Sequence, residues 1–77
     1  MKCVNDVVEE IAEEYLSASM KFATFNSAHE GYAILLEELD ELWEEIKKKE
    51  PDPERMHKEA IQVAAMALRF VWDICHE

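Results

Sequence analysis

Apolar residues recur at intervals of three and four positions along three stretches of the chain, which is the spacing of one face of an α-helix. This pattern predicts a first helix from about Val4 to about Met20, a second that begins at Ser27, and a third from Pro53 to about Ile74. No stretch alternates apolar and polar residues as a strand does, and the chain has only one Gly and two Pro. We therefore predict an all-α fold in which residues 1–77 form a single helical domain.

Local signals indicate where the second and third helices begin. Ser27 and Glu30 have the spacing of a capping box, in which a serine hydroxyl and a glutamate side chain satisfy free N–H groups of the first turn. Asp52 is expected to cap the third helix, with Pro53 in the first helical position.

The third helix carries more apolar surface than one subunit can enclose. On the third helix, the segment from Ala60 onward is apolar nearly all round, and a chain of this length buries only about 60% of its unfolded surface. We therefore predict a three-helix subunit that completes a four-helix-type bundle by homo-oligomerisation, as a dimer or tetramer. Five residues at 4-3-4-3 spacing are expected to form the core-facing stripe of the second helix: Tyr32, Leu36, Leu39, Trp43 and Ile46.

The third helix keeps one narrow polar line within its apolar surface. A polar line along a buried helix is costly unless its groups are satisfied, so we expect this one to face the acidic side of the second helix. Its members are Arg55, Glu59, Gln62, Arg69 and Asp73.

The chain has 18 acidic and 8 basic residues, for a formal net charge of −10. This balance argues against nucleic-acid binding, which needs clustered Lys and Arg against the phosphates. The most apolar run, 60–75, is interrupted by polar residues, so no membrane span is expected, and the N-terminus lacks the apolar segment of a signal peptide.

We expect a cytoplasmic protein in which Cys3 and Cys75 are free, buried thiols, although a disulfide forms if both ends of the bundle meet. The acids of the first helix are expected to form a solvated face: Glu9, Glu10, Glu13 and Glu14.

Carboxylates are densest in the middle of the second helix, where Glu37, Glu38 and Glu41 lie within about one turn. Glu59 and Gln62 repeat a three-residue spacing on the third helix, and antiparallel packing would bring the two pairs together. A solvated acidic face is the simpler interpretation of such a helix. If the pairs do meet, a divalent cation relieves their repulsion, and oxygen ligands without a Cys or His cluster favour Mg²⁺ or Mn²⁺ over zinc.

A site of this kind suits the attack of a water molecule on a phosphoanhydride, because Mg²⁺ readily takes substrate phosphates as further ligands. Glu37 is the acid expected to orient or deprotonate the water. Arg55, Lys48 and Lys58 are candidates to neutralise the phosphates.

The connection between the first two helices is unusually aromatic and is a candidate base pocket. Phe25, Asn26 and His29 would supply its wall and hydrogen bonds. The alternative is a hydrophobic plug over the end of the bundle, with His29 as a surface or capping residue.

The acidic segments together resemble a known family. Glu37-Glu38-x-x-Glu41, followed by Glu59-x-x-Gln62, is similar to the E-E-x-x-E…E-x-x-D signature of the MazG-like all-α nucleotide pyrophosphohydrolases. The flanking segments HEGYAILLEELDELWEEIKKKE and KEAIQVAAMALRFVWDI also resemble small members, so the resemblance extends over roughly 27–73.

The resemblance implies Mg²⁺-dependent hydrolysis of a nucleoside or deoxynucleoside triphosphate to the monophosphate and pyrophosphate. It also implies a helical-bundle subunit in dimers or tetramers with shared sites. By position, Glu38, Glu41 and Glu59 would be metal ligands, with Glu37 as a further acid of the motif and Arg55 as a phosphate contact.

The sequence departs from the family at one position, since Gln62 stands where the pattern has Asp. An amide oxygen can ligate a hard cation but carries no charge and cannot act as a base. One alternative is therefore a non-catalytic oligomerisation or adaptor module with a degenerate metal site. Another is a carboxylate-bridged di-metal bundle that uses Glu54-x-x-His57, although this pair falls roughly opposite Glu59 around the helix.

Overall fold

A computed structural model describes residues 2–76 of the protein. The chain forms three α-helices, α1 (Val4–Lys21), α2 (Ala28–Ile46) and α3 (Pro53–Phe70), and α3 continues into a π-helical turn (Val71–Cys75). No strand occurs among the described residues. The all-α prediction is confirmed, and the predicted helix limits agree with the observed ones.

The predicted caps position the starts of α2 and α3. The Glu30 N–H donates to Ser27 Oγ at 3.1 Å, while the Glu30 carboxylate accepts from the backbone N–H of Asn26 at 3.0 Å. Asp52 Oδ1 accepts from the Glu54 N–H at 2.9 Å, and α3 begins with Pro53. These side chains satisfy N–H groups that a helix leaves free in its first turn.

Helix α3 is the centre of the subunit, because both α1 and α2 pack against it. The buried core between the helices is small, and partly buried apolar residues of all three helices surround it. Its buried members are Ala18, Phe25, Ala65 and Met66. One subunit therefore buries little apolar surface for its size.

The polar line of α3 faces inward, as expected for most of its length. Arg69 is only 3% exposed and Asp73 is nearly as buried, while Glu59 and Gln62 are half-buried. Arg55, near the start of α3, is the exception and lies in solvent. Beside the polar line, Ile61 and Val63 are half-buried, and Leu68 is the large apolar side chain of α3 that is exposed, at 39%.

The prediction for the core-facing side of α2 is wrong within this subunit. The five predicted residues, which we call the α2 stripe, are between 42% (Leu36) and 64% (Tyr32) exposed. Helix α2 instead turns toward α3 the face that contains Gly31, where a Cβ would lie 2.6 Å from a ring carbon of Phe70. This close approach, together with the inward polar line of α3, sets the rotation of α2 about its axis.

Both cysteines are free thiols, and both are exposed. The expectation that the thiols are buried is therefore wrong, since Cys3 precedes α1 and Cys75 ends the π-helical turn, where few residues cover them. No helix among residues 2–76 is long and apolar enough to cross a membrane.

Candidate functional site

Three glutamates from two helices converge on one face of the subunit. Glu38 and Glu41 lie one turn apart on α2, and Glu59 faces them from α3. One carboxylate oxygen from each of the three lies within 4.8 Å of the others. Glu38 and Glu59 are half-buried, and Glu41 is exposed. The structure thus brings together the acids that the spacing of the two pairs predicted to meet, and we call them the carboxylate cluster.

The electrostatic consequence falls on Glu38. Burial, a hydrogen bond with Glu41 and the charges of Glu41, Glu59 and Glu37 raise the pKa of Glu38 to about 7. A carboxyl group with such a pKa holds its proton through part of the neutral range, because ionising it would add a negative charge beside others. The negative charges of the carboxylate cluster are therefore not fully neutralised by their surroundings.

A cavity of about 490 Å³ opens beside the cluster, between α1, α2 and α3. Glu37, Glu38 and Gln62 line its acidic and polar side. The other residues around it include three apolar side chains and one aromatic ring, which are Ala18, Ile34, Met66 and Phe22. A cavity of this size with an apolar floor and a few polar groups has the form of a small-molecule site.

Basic side chains adjoin the cluster on the Glu59 side. Arg55 and Lys58 line a surface hollow together with Glu59 and Glu45. Lys48 donates to Glu45 at 2.9 Å, so it lies at the edge of the same hollow. The three predicted phosphate-binding residues are thus gathered around Glu59, outside the larger cavity.

The structure places the predicted base-pocket residues elsewhere. Phe25 is buried in the core, Asn26 Nδ2 donates to Glu30 at 3.1 Å, and His29 lies on an exposed hollow next to Tyr32. None of the three lines the cavity beside Glu37 and Glu38. Phe25 points inward, and Arg69 lies over its ring, with the guanidinium carbon 4.6 Å from the ring centre.

Phe22 is the aromatic residue of the connection that does line this cavity, and it is not among the predicted base-pocket residues. It is 63% exposed. The signal in the sequence was the pair of aromatic residues at positions 22 and 25, but periodicity does not tell which of two loop residues is buried. Only the contacts of Phe25 with the end of α3 decide that Phe25, and not Phe22, is buried.

Glu10 differs from the expected solvated acid. Its carboxylate pairs with His57 at 2.7 Å and with Lys2, and these hydrogen bonds lower the pKa of Glu10. The contact ties α1 to α3. It also occupies the histidine of the Glu54-x-x-His57 pair, and among the described residues no histidine joins the carboxylate cluster. The di-metal alternative therefore has no support from the structure.

The donor set of the cluster suits a hard divalent cation. The three carboxylates, and the amide of Gln62, which lines the same cavity as Glu38, offer the oxygen ligands that Mg²⁺ and Mn²⁺ prefer. A cation there would offset the repulsion that raises the pKa of Glu38. No protein-family model, curated protein or solved structure matches this chain. The functional interpretation therefore depends on the geometry of this site.

Proposed function

We propose that this protein is a Mg²⁺- or Mn²⁺-dependent pyrophosphohydrolase. Its substrate would be a nucleoside or deoxynucleoside triphosphate, and its products the nucleoside monophosphate and pyrophosphate. The observation that carries the proposal is the convergence of Glu38, Glu41 and Glu59 within 4.8 Å at the edge of a cavity of about 490 Å³.

The carboxylate cluster and Gln62 would hold the cation. When bound, the cation supplies Lewis-acid polarisation of the phosphoryl oxygens. Glu38 is then present as the carboxylate, because a positive charge beside it favours the ionised form. Gln62 contributes a neutral oxygen and leaves the net charge of the ligand set less negative than an Asp would.

Glu37 would act as the general base, since it lines the cavity beside Glu38 without belonging to the cluster. Its carboxylate would take a proton from the attacking water as the new P–O bond forms. The phosphoanhydride bond between the α and β phosphates breaks, and its electron pair stays on the bridging oxygen, which leaves with the phosphate that the water does not attack. Arg55, Lys58 and Lys48 would neutralise the phosphate charges from the Glu59 side.

The nucleoside would occupy the cavity. Phe22 offers a ring on which a base can stack, and Ile34 and Met66 form an apolar floor. Polar groups at the same cavity, such as Ser17 and Gln62, offer hydrogen bonds to the base or sugar. We also propose that the working form is a homo-oligomer, because a single subunit leaves large apolar side chains of all three helices exposed.

The test is pyrophosphate release from a panel of nucleoside and deoxynucleoside triphosphates with Mg²⁺ or Mn²⁺. We expect turnover by the wild type and a loss of about 100-fold or more in Glu38→Gln, which removes a ligand charge. Glu44→Gln is the matched control, because Glu44 is an acid of the same helix that pairs with Lys47 outside the cluster. It should retain activity. No turnover with any nucleotide, together with no cation binding by calorimetry, would exclude the proposal.

The second candidate is a non-catalytic module that oligomerises and carries a degenerate metal site. Gln62 favours it, since the MazG-like pattern has an acid at that position. This candidate predicts cation binding without turnover, and an oligomer that forms equally well with Glu38→Gln. The same nucleotide panel, combined with light scattering on the wild type and Glu38→Gln, distinguishes the enzyme from the non-catalytic module.

A further inference from the structure

The α2 stripe is an apolar surface that no part of the described chain covers. Its five side chains lie on one side of α2, and the largest of them, Trp43, is 55% exposed. The N-terminal end of the stripe lies beside the C-terminal end of α3, where Tyr32 and Phe70 line the same surface hollow. Isolated exposed apolar residues are ordinary, but a continuous line of large ones along a helix marks an interaction surface.

The subunit also exposes more surface than a compact protein of its mass. Its accessible area is 5904 Å² for 9.0 kDa. A folded monomer of that mass is expected to expose about 4,900 Å², so roughly 1,000 Å² is in excess. A stable protein interface buries about 800 Å² on each partner, so the excess is what one such interface would cover.

The spacing of the stripe identifies the kind of occupant. A strict 4-3-4-3 repeat gives the narrow apolar line of a helix that pairs with another helix. In such a pair, the side chains of one helix fit between those of the other. The partner helix must carry the same kind of apolar line, and α2 of a second copy of the chain does. Pairing of two identical surfaces about a two-fold axis is the commonest form of protein self-association.

Charge decides the direction of the pair. The middle of α2 is acidic, and Lys47, Lys48 and Lys49 follow its last residue, Ile46. A parallel pair would set the three lysines beside their copies. An antiparallel pair keeps the two lysine clusters at opposite ends, and its opposed helix dipoles attract.

We infer that the α2 stripe is the seam of an antiparallel homodimer, in which Leu39 meets its copy and Leu36 faces Trp43 of the partner subunit. Tyr32 and Ile46 pair at the two ends in the same register. Helices α2 and α3 of both subunits then form a four-helix arrangement. The inference assumes the homo-oligomer proposed above but not the catalytic activity.

This seam leaves the carboxylate cluster within one subunit. At 100° per residue, Glu37 and Glu41 lie roughly opposite the stripe around α2, and Glu38 lies on the side toward α3. Each subunit would therefore carry a complete cluster of its own. This differs from the shared sites that the family resemblance implies.

Disulfide cross-linking tests the seam without requiring that a disrupted subunit remain folded. Cys3→Ser and Cys75→Ser first remove the two native thiols, both of which are exposed. Leu39→Cys in this background should cross-link to its copy under mild oxidation. Glu44→Cys, on the other side of α2, is the control and should cross-link at least about tenfold more slowly, because its thiols are not held together at millimolar effective concentration.

Two further variants report the direction. In the antiparallel pair, Leu36→Cys lies about 9 Å along the axis from its own copy, beyond the reach of a disulfide, but next to Trp43→Cys of the partner subunit. A mixture of the two variants should therefore cross-link faster than either alone. Fast cross-linking of each variant with itself would overturn the antiparallel arrangement.

The mass of the unmodified wild type completes the experiment. Light scattering should give at least twice the 9.0 kDa of one chain. A mass of one chain, or equal cross-linking of Leu39→Cys and Glu44→Cys, would overturn the seam. Either result is independent of the nucleotide assay. A monomer that hydrolyses nucleotides would overturn only the seam, and a cross-linked dimer without hydrolysis would overturn only the catalytic proposal.

Discussion

The backbone N–H of Phe25 donates a hydrogen bond of 3.0 Å to Asp73 Oδ2, 48 residues further along the chain. Arg69 stands beside this contact, 3.8 Å from the same carboxylate oxygen, and donates to the Ala23 carbonyl at 2.7 Å. These bonds tie the connection between α1 and α2 to the end of α3. They also determine that Phe25 turns into the core while Phe22 stays at the cavity.

We expect Asp73→Ala to destabilise the protein by about 3 kcal/mol, because it leaves the Arg69 charge buried without its partner and the Phe25 N–H without an acceptor. Urea unfolding at a fixed protein concentration measures the change in free energy. Asp40→Ala removes an exposed acid of α2 and should change it by less than about 0.5 kcal/mol. Equal effects of the two substitutions would show that the buried pair contributes nothing.

The raised pKa of Glu38 makes the stability of the cation-free protein depend on pH. The folded state binds more protons than the unfolded state between the ordinary value of 4.5 and about 7. The contribution of Glu38 to the free energy of unfolding is therefore largest below that window and falls as the pH rises through about 7. Removing the carboxyl should remove this dependence.

Glu38→Gln is accordingly expected to raise the thermal midpoint at pH 8 but to leave it nearly unchanged at pH 4. The measurement is thermal unfolding in the presence of a chelator at both values. Asp40→Asn, at an exposed position of the same helix, is the control for the loss of one negative charge. A gain at pH 8 that is no larger for Glu38→Gln than for Asp40→Asn would contradict the prediction.

Gln62→Asp should convert the site to a stronger cation site. In a chelator, the added carboxylate repels the cluster and lowers the thermal midpoint. With Mg²⁺, a further charged ligand should tighten binding about tenfold or more, which adds at least about 1.4 kcal/mol of stabilisation when the cation is in excess. Calorimetric titration and thermal unfolding with and without Mg²⁺ give the two quantities.

Gln62→Asn is the matched control, because it has the size of the Asp variant but no charge. It should bind Mg²⁺ no more tightly than the wild type. If Mg²⁺ raised the thermal midpoint equally in the Asp and Asn variants, position 62 would lie outside the cation site.

Gly31→Ala is expected to destabilise the protein by about 1 kcal/mol, although Ala is the better helix former. The new Cβ would lie 2.6 Å from a ring carbon of Phe70 and 3.1 Å from one of Phe25, so the packing must shift at a cost of about 1–3 kcal/mol. Urea unfolding of the single variant measures the net effect.

The same substitution in a Phe70→Ala background shows whether the ring is the cause. With the closest ring removed, Gly31→Ala should become neutral or stabilising, because the helix preference for Ala is worth about 1 kcal/mol. An equal loss in both backgrounds would locate the cost in some other contact of α2.

Much of the fold was predictable because it depends on neighbours along the chain. The Ser27 and Asp52 caps, the three helices and the three-residue spacing of Glu38 and Glu41 follow from backbone geometry within one or two turns. The approach of Glu59 to these acids followed from the inward polar line of α3. The catalytic role, the cation and the base and phosphate contacts stay predictions.

The sequence by itself determined the helices, their starts and the shared side of Glu38 and Glu41 on α2, because helical periodicity sets which side chains share a face. Tertiary structure alone decided which apolar side of α2 turns toward α3, that Phe22 rather than Phe25 lines the cavity, and that both cysteines are exposed. These outcomes depend on the approach of Gly31 to Phe70 and on the buried contacts of Arg69. Such contacts join residues far apart in the chain, and their free energies are set only when the helices pack.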